Sequence, residues 1–133
     1  MKQLLFFGSR TLRGEKVTSI IHSAIVRYHP DVIATAINPK GVCAEVQLYA
    51  RRQENGIKLV CYTLDKSRAQ GKHEARSIKA ISESCAVVFV WDGESKGTAN
   101  EIEIAIKLDK PHEIIRIKAV YDPFAVKENH DWE

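Results

Sequence analysis

The sequence predicts a single α/β domain of the doubly wound class, with about five parallel strands and helices on both faces. Three observations predict it. Five short apolar runs alternate with segments whose apolar residues recur at helical spacing, a pattern that calls for a parallel sheet with crossover helices. Several of those runs are continuously apolar, as expected of strands covered on both faces. Finally, 133 residues with 44% hydrophobic and 28% charged composition suit one hydrophobic core and exclude disordered, collagen-like and low-complexity chains.

The first strand is predicted over Leu4 to Phe7. In the first helix Val17, Ile20, Ile21, Ala24, Ile25 and Tyr28 share a face, and Asp31 suits the turn into a second strand, Val32 to Ala36. The second helix carries Cys43, Val46 and Ala50, with Asn55 and Gly56 as its turn and stop. A third strand follows over Ile57 to Thr63. The third helix is predicted to turn Ala75, Ile78, Ile81 and Ser82 inward. The fourth strand is Ala86 to Trp91; the fourth helix turns Ala99, Ile102, Ala105 and Ile106 to the core and stops before Pro111. Ile114 to Val120 completes the sheet. The domain therefore spans 1–120, followed by a tail, 121–133, with Pro123 and four acids against one lysine. Packing over an edge, an oligomer contact and a loose end all remain open for the tail.

The formal charge of +3 is too small to predict nucleic-acid or membrane binding from bulk charge. Cys43, Cys61 and Cys85 have no CxxC spacing and no local His partner, so they predict buried free thiols. The five histidines form no HExxH or other ligand spacing, and no metal or cofactor is expected. There is no GxGxxG after a strand and no GxxxxGK[ST], which sets hydride transfer and NTP hydrolysis aside. Leu4 to Phe7 is too short for a signal-peptide core and no run approaches a membrane span, so the chain reads as cytoplasmic with no membrane partner.

Ligands of open α/β sheets bind beyond the carboxyl ends of the strands, where the strand order reverses. After the first strand, Gly8-Ser9-Arg10-Thr11 combines a glycine, two hydroxyls and a guanidinium, with the amides of a helix start expected nearby. The alternative is a plain turn in which Ser9 or Thr11 caps that helix. After the fourth strand, the run from Asp92 to Glu101 supplies Gly93, Ser95, Gly97, Thr98 and a carboxylate. Here the alternative is a capping box, Thr98-x-x-Glu101. If the two strands are neighbours, the loops converge on one crevice. The segment Asp65 to Lys79 is the most basic of the chain, and Arg76 is its preferred phosphate ligand, with His73 beside it; a solvated helix face is the plainer reading.

These residues carry a resemblance. Phe7 to Thr11, Gly41-Val42 opening a helix, Gly71-Lys72 before Arg76, and Val88 to Gly93 running into Ser95-Lys96-Gly97-Thr98 resemble the SLOG superfamily of Rossmann-like domains. They lie near its YspA/YpsA-like branch, which is related to LOG phosphoribohydrolases and DprA proteins. The resemblance spans roughly residues 3 to 118. It implies binding of a nucleotide or nucleotide-derived phosphorylated ligand by Gly8, Ser9, Arg10, Gly93, Ser95, Gly97 and Thr98. The family's glycine-rich stretch after the second strand reads Thr35 to Val42 here, with Asn38 and Gly41 as candidate contacts and Asn38 and Pro39 standing where glycines are expected. In LOG enzymes a Gly-Thr-x-x-Glu loop supplies a catalytic glutamate and an earlier helix an arginine. Glu101 and Arg76 match those places.

A phosphoribohydrolase-like cleavage or transfer at an N-glycosidic bond is thus one expectation, with Glu101 stabilising an oxocarbenium-like centre. A non-enzymatic sensor or sequestering module for the same ligand is the other. The DprA relationship raises single-stranded nucleic acid, with Trp91 or Tyr62 as stacking groups, against which the small net charge weighs. A homodimer or higher homo-oligomer is also expected.

Overall fold

The computed structural model describes residues 2–52 and 56–119. Within them the predicted alternation holds, as β1 (Gln3–Gly8), α1 (Glu15–Tyr28), β2 (Val32–Ala36), α2 (Gly41–Arg52), β3 (Lys58–Tyr62), α3 (Lys72–Glu83), β4 (Ala86–Trp91), α4 (Lys96–Lys107) and β5 (His112–Arg116). All neighbouring strands pair in parallel, in the order β3-β2-β1-β4-β5. The chain is a single α/β domain of Rossmann-like architecture.

Strand alternation sorts the core into two layers. Leu4, Phe6, Ile33, Val88 and Val90 pack on one face with Val17, Ile21 and Ala24 of α1 and Val42 and Val46 of α2. Leu5, Phe7, Ala34, Ala36, Val87 and Phe89 pack on the other with Ala80 and Ile81 of α3 and Ile102 and Ala105 of α4. Because β1 and β4 are adjacent while their following helices leave to opposite faces, the loops at their carboxyl ends diverge and open a crevice.

Four expectations are corrected. Of the three cysteines expected to be buried, Cys43 is, Cys61 is half-buried, and Cys85 is exposed where α3 turns into β4. β5 starts at His112, two residues before the predicted Ile114, and ends at Arg116; Val120 lies outside the described residues, as do Asn55 and the tail from 121. The inward face of α3 is Ser77, Ala80 and Ile81, while Ile78 is 40% exposed. The inward face of α4 is Gly97, Thr98, Glu101, Ile102 and Ala105, and Ile106 is 58% exposed. In both helices small and polar residues occupy the buried stripe where it approaches the crevice, displacing the apolar ones that periodicity favours.

Candidate functional site

The crevice begins with how the two loops are tied together. Ser9 N–H donates to the carbonyl of Val90 at 3.0 Å, and the Ser9 hydroxyl accepts from Asp92 N–H at 3.0 Å. Asp92 organises the loop after β4. Its carboxylate accepts from Thr11 Oγ1 at 2.7 Å, from the amides of Glu94 and Ser95 at 2.8 Å and from Ser95 Oγ at 2.9 Å. Burial works to raise the Asp92 carboxyl, but these bonds outweigh it and hold the group below the usual carboxylate range.

The Ser95 hydroxyl is thereby engaged, and Ser95, the N-cap of α4, makes no side-chain cap hydrogen bond. The first-turn amides of Gly97 and Thr98 have no acceptor within their own helix, and both residues are buried against the cleft. At the first loop the expectation is corrected. Leu12, Arg13 and Gly14 separate it from α1, whose N-terminal end at Gly14 N–H donates to Glu45 at 3.2 Å. Neither Ser9 nor Thr11 caps α1. The helix start that meets the crevice is that of α4.

The capping box at Thr98 and Glu101 is overturned, because the N-cap is Ser95 and Glu101 lies six positions past it, in the second turn. Glu101 instead points inward with only 6% of its surface exposed. Its Oε2 accepts from the Ser77 hydroxyl of α3 at 3.3 Å. Among the described residues Ser77 is the one hydrogen-bond donor to this carboxyl. Arg76 Nη2 lies 3.9 Å from Oε2, near enough to attract charge but too far for a hydrogen bond. Burial dominates both favourable contacts and pushes the Glu101 carboxyl up from 4.5 to about 8. At pH 7 the pair is therefore a charged guanidinium beside a neutral acid. The Nε of Arg76 is buried without a hydrogen-bond partner.

One cleft of about 370 Å³, counting its open mouth, gathers most of the predicted residues. Gly8, Ser9 and Arg10 line it from the first loop, Asn38 from the second, Arg76 from α3, and Gly97, Thr98 and Glu101 from α4. Asn38 is held by its own turn, its Oδ1 accepting from Lys40 N–H at 3.0 Å and its backbone carbonyl accepting from Gln47 at 3.0 Å.

Three predicted residues do not line the cleft. Gly41, at φ 69°, passes so close beneath the first loop that a Cβ would stand 2.3 Å from Arg10 Cα and 2.4 Å from Ser9 O. Its role is backbone packing. Gly93, at φ 84°, leaves room for the Arg116 guanidinium, which a Cβ would meet at 2.3 Å and which sits 5.9 Å from the Trp91 ring centroid. Ser95 turns to Asp92. Gly8 lines the cleft and is also a packing position, since a Cβ there would fall 2.4 Å from Val90 O and 2.5 Å from Val42.

Ala36 and Cys43 line the cleft as well, and sequence reasoning placed both in the core only. Burial pushes the Cys43 thiol up, so it stays protonated near neutral pH. Ser77, inward on α3, was not singled out by the sequence and carried no local signal there. The proposed stacking groups are both engaged: Tyr62 is 7% exposed with its hydroxyl between Gln3 and Glu83, and Trp91 donates to Ser95 O at 3.1 Å. The basic loop is exposed from Asp65 to Gly71 and leads from β3 into α3 on the crevice side of the sheet. Among the described residues no cluster of metal-ligating side chains and no helix long and apolar enough to cross a membrane is found. Compared with protein-family models and with curated proteins, the chain matches none.

Proposed function

We propose that this protein is a SLOG-like domain that binds a nucleotide or nucleotide-derived phosphorylated small molecule in the crevice between the loops after β1 and β4. The observation that carries the reading is the meeting of Arg76, with a buried and unpartnered Nε, and the uncapped first turn of α4 in one cleft. Guanidinium and helix-start amides together suit a phosphate group. Ser9, Asn38 and Thr98 supply neutral polar contacts for a sugar.

A second reading, cleavage at the N-glycosidic bond of that ligand, is favoured by Glu101. Its place on the cleft wall and its proton near neutral pH suit a general acid. The C1′–N bond would break as the departing base takes the carboxyl proton, water would add to the anomeric carbon, and the proton that water sheds would return to the Glu101 carboxylate. A binding module without turnover needs only the Arg76 contact.

A thermal-shift panel of nucleoside monophosphates, ADP-ribose and NAD, with product analysis for free base, tests both readings. Binding predicts a raised midpoint for at least one monophosphate in the wild type and its loss in Arg76→Gln. Hydrolysis predicts base release that disappears in Glu101→Gln while the midpoint shift persists. A stabilising ligand with no base release assigns a sensor or sequestering role, and the absence of any shift contradicts the binding reading.

A further inference from the structure

The arrangement of Arg76 and Glu101 bears on which ionic form of the site takes the ligand. Resting on the reading that the cleft holds an anionic group, we infer that the site admits its anion only while Glu101 carries a proton, so that Arg76 and the protonated acid form one receptor. With Glu101 ionised, the guanidinium at 3.9 Å would be neutralised by its neighbour, and an incoming anion would meet a carboxylate of which 92% of the side chain is removed from solvent screening. With Glu101 neutral, the full charge of Arg76, its unpartnered Nε and the α4 amides all remain for the ligand.

The groups around Glu101 leave little else to titrate. Arg76 faces it from α3 and Cys43 from α2, and Arg10 lines the same cleft from the first loop. The hydroxyls of Ser9, Ser77 and Thr98 do not ionise near neutral pH. Burial already holds the Glu101 proton to about pH 8, and an anion beside it raises proton affinity further. The ligand therefore keeps the acid armed. In the hydrolytic reading, that retained proton is the one delivered to the leaving base.

Sulfate is the suitable probe because its charge is constant across the range, unlike phosphate. Calorimetric titration of sulfate into the full chain is expected to show affinity that is level below pH 7 and falls about tenfold between pH 7 and pH 9. Glu101→Gln is expected to bind with one affinity throughout. At pH 8.5, wild-type binding measured in two buffers of different ionisation heat is expected to take up a proton, which decides the matter even if the variant does not fold. A level wild-type profile, an equal decline in Glu101→Gln, absence of proton uptake, or no sulfate binding overturns the inference. If nucleotides still stabilise the protein in the thermal panel, the binding reading survives that failure; if neither sulfate nor nucleotides bind, both fall.

Discussion

Glu101 holds its proton in the folded chain far more tightly than an ordinary glutamate, about 8 against 4.5. Such a group stabilises the fold relative to its ionised form: the contribution is complete below about pH 4.5 and is lost as pH rises through 8. Glu101→Gln keeps the shape and the Ser77 contact without the ionisation. Urea unfolding is therefore expected to give the wild type a stability that declines by a few kcal/mol from pH 5 to pH 9 on account of this group, and the variant a flatter profile. Equal slopes in the two proteins would show that the carboxyl ionises normally. At this scale the sequence was partly legible. Arg76 and Glu101 stood out by residue type and by the flanking glycines, whereas Cys43 and Ser77 carried no signal, because a helix-face cysteine and a helix-face serine look alike whether they meet core or cleft.

At the scale of elements, existence and order were legible because β-branched runs and helical periodicity are local properties. Helix faces near the site were not. The crevice places Ser77, Gly97, Thr98 and Glu101 on inward stripes, and periodicity then selects Ile78 and Ile106 in their stead. The glycines divide for a related reason. Sequence shows that a glycine is required without showing whether a ligand or another backbone requires it. Gly41 and Gly56 have nearly the same φ, 69° and 70°, but a Cβ would strike Arg10 and Ser9 at the first and nothing within 4 Å at the second. Gly56→Ala is expected to cost about 1–2 kcal/mol, from backbone strain alone. Gly41→Ala is expected to cost about 3 kcal/mol or more, because the clash adds to the strain. Denaturant titration of both variants checks the difference, and equal costs would mean that the α2 start does not bear on the first loop.

For the whole molecule, the order β3-β2-β1-β4-β5 reverses between β1 and β4, and this topological switch point is where open α/β sheets offer a crevice. Glycine-rich loops at residues 8–11 and 92–98, far apart in sequence, become neighbours through this topology, joined by Ser9 and Asp92. That juxtaposition was legible once the alternation was read as a doubly wound sheet. The shape of the cleft was not, because it depends on Gly41 packing beneath Arg10 and on Asp92 gathering Thr11 and Ser95, contacts that no local pattern announces. The measurement that tests the central claim most directly is an amide-resonance titration of the isotopically labelled protein with adenosine 5′-monophosphate. The account predicts shifts concentrated at Ser9, Arg10, Asn38, Gly97 and Thr98, with loss of those shifts in Arg76→Gln. Perturbations centred elsewhere on the sheet, or unchanged by Arg76→Gln, would contradict it.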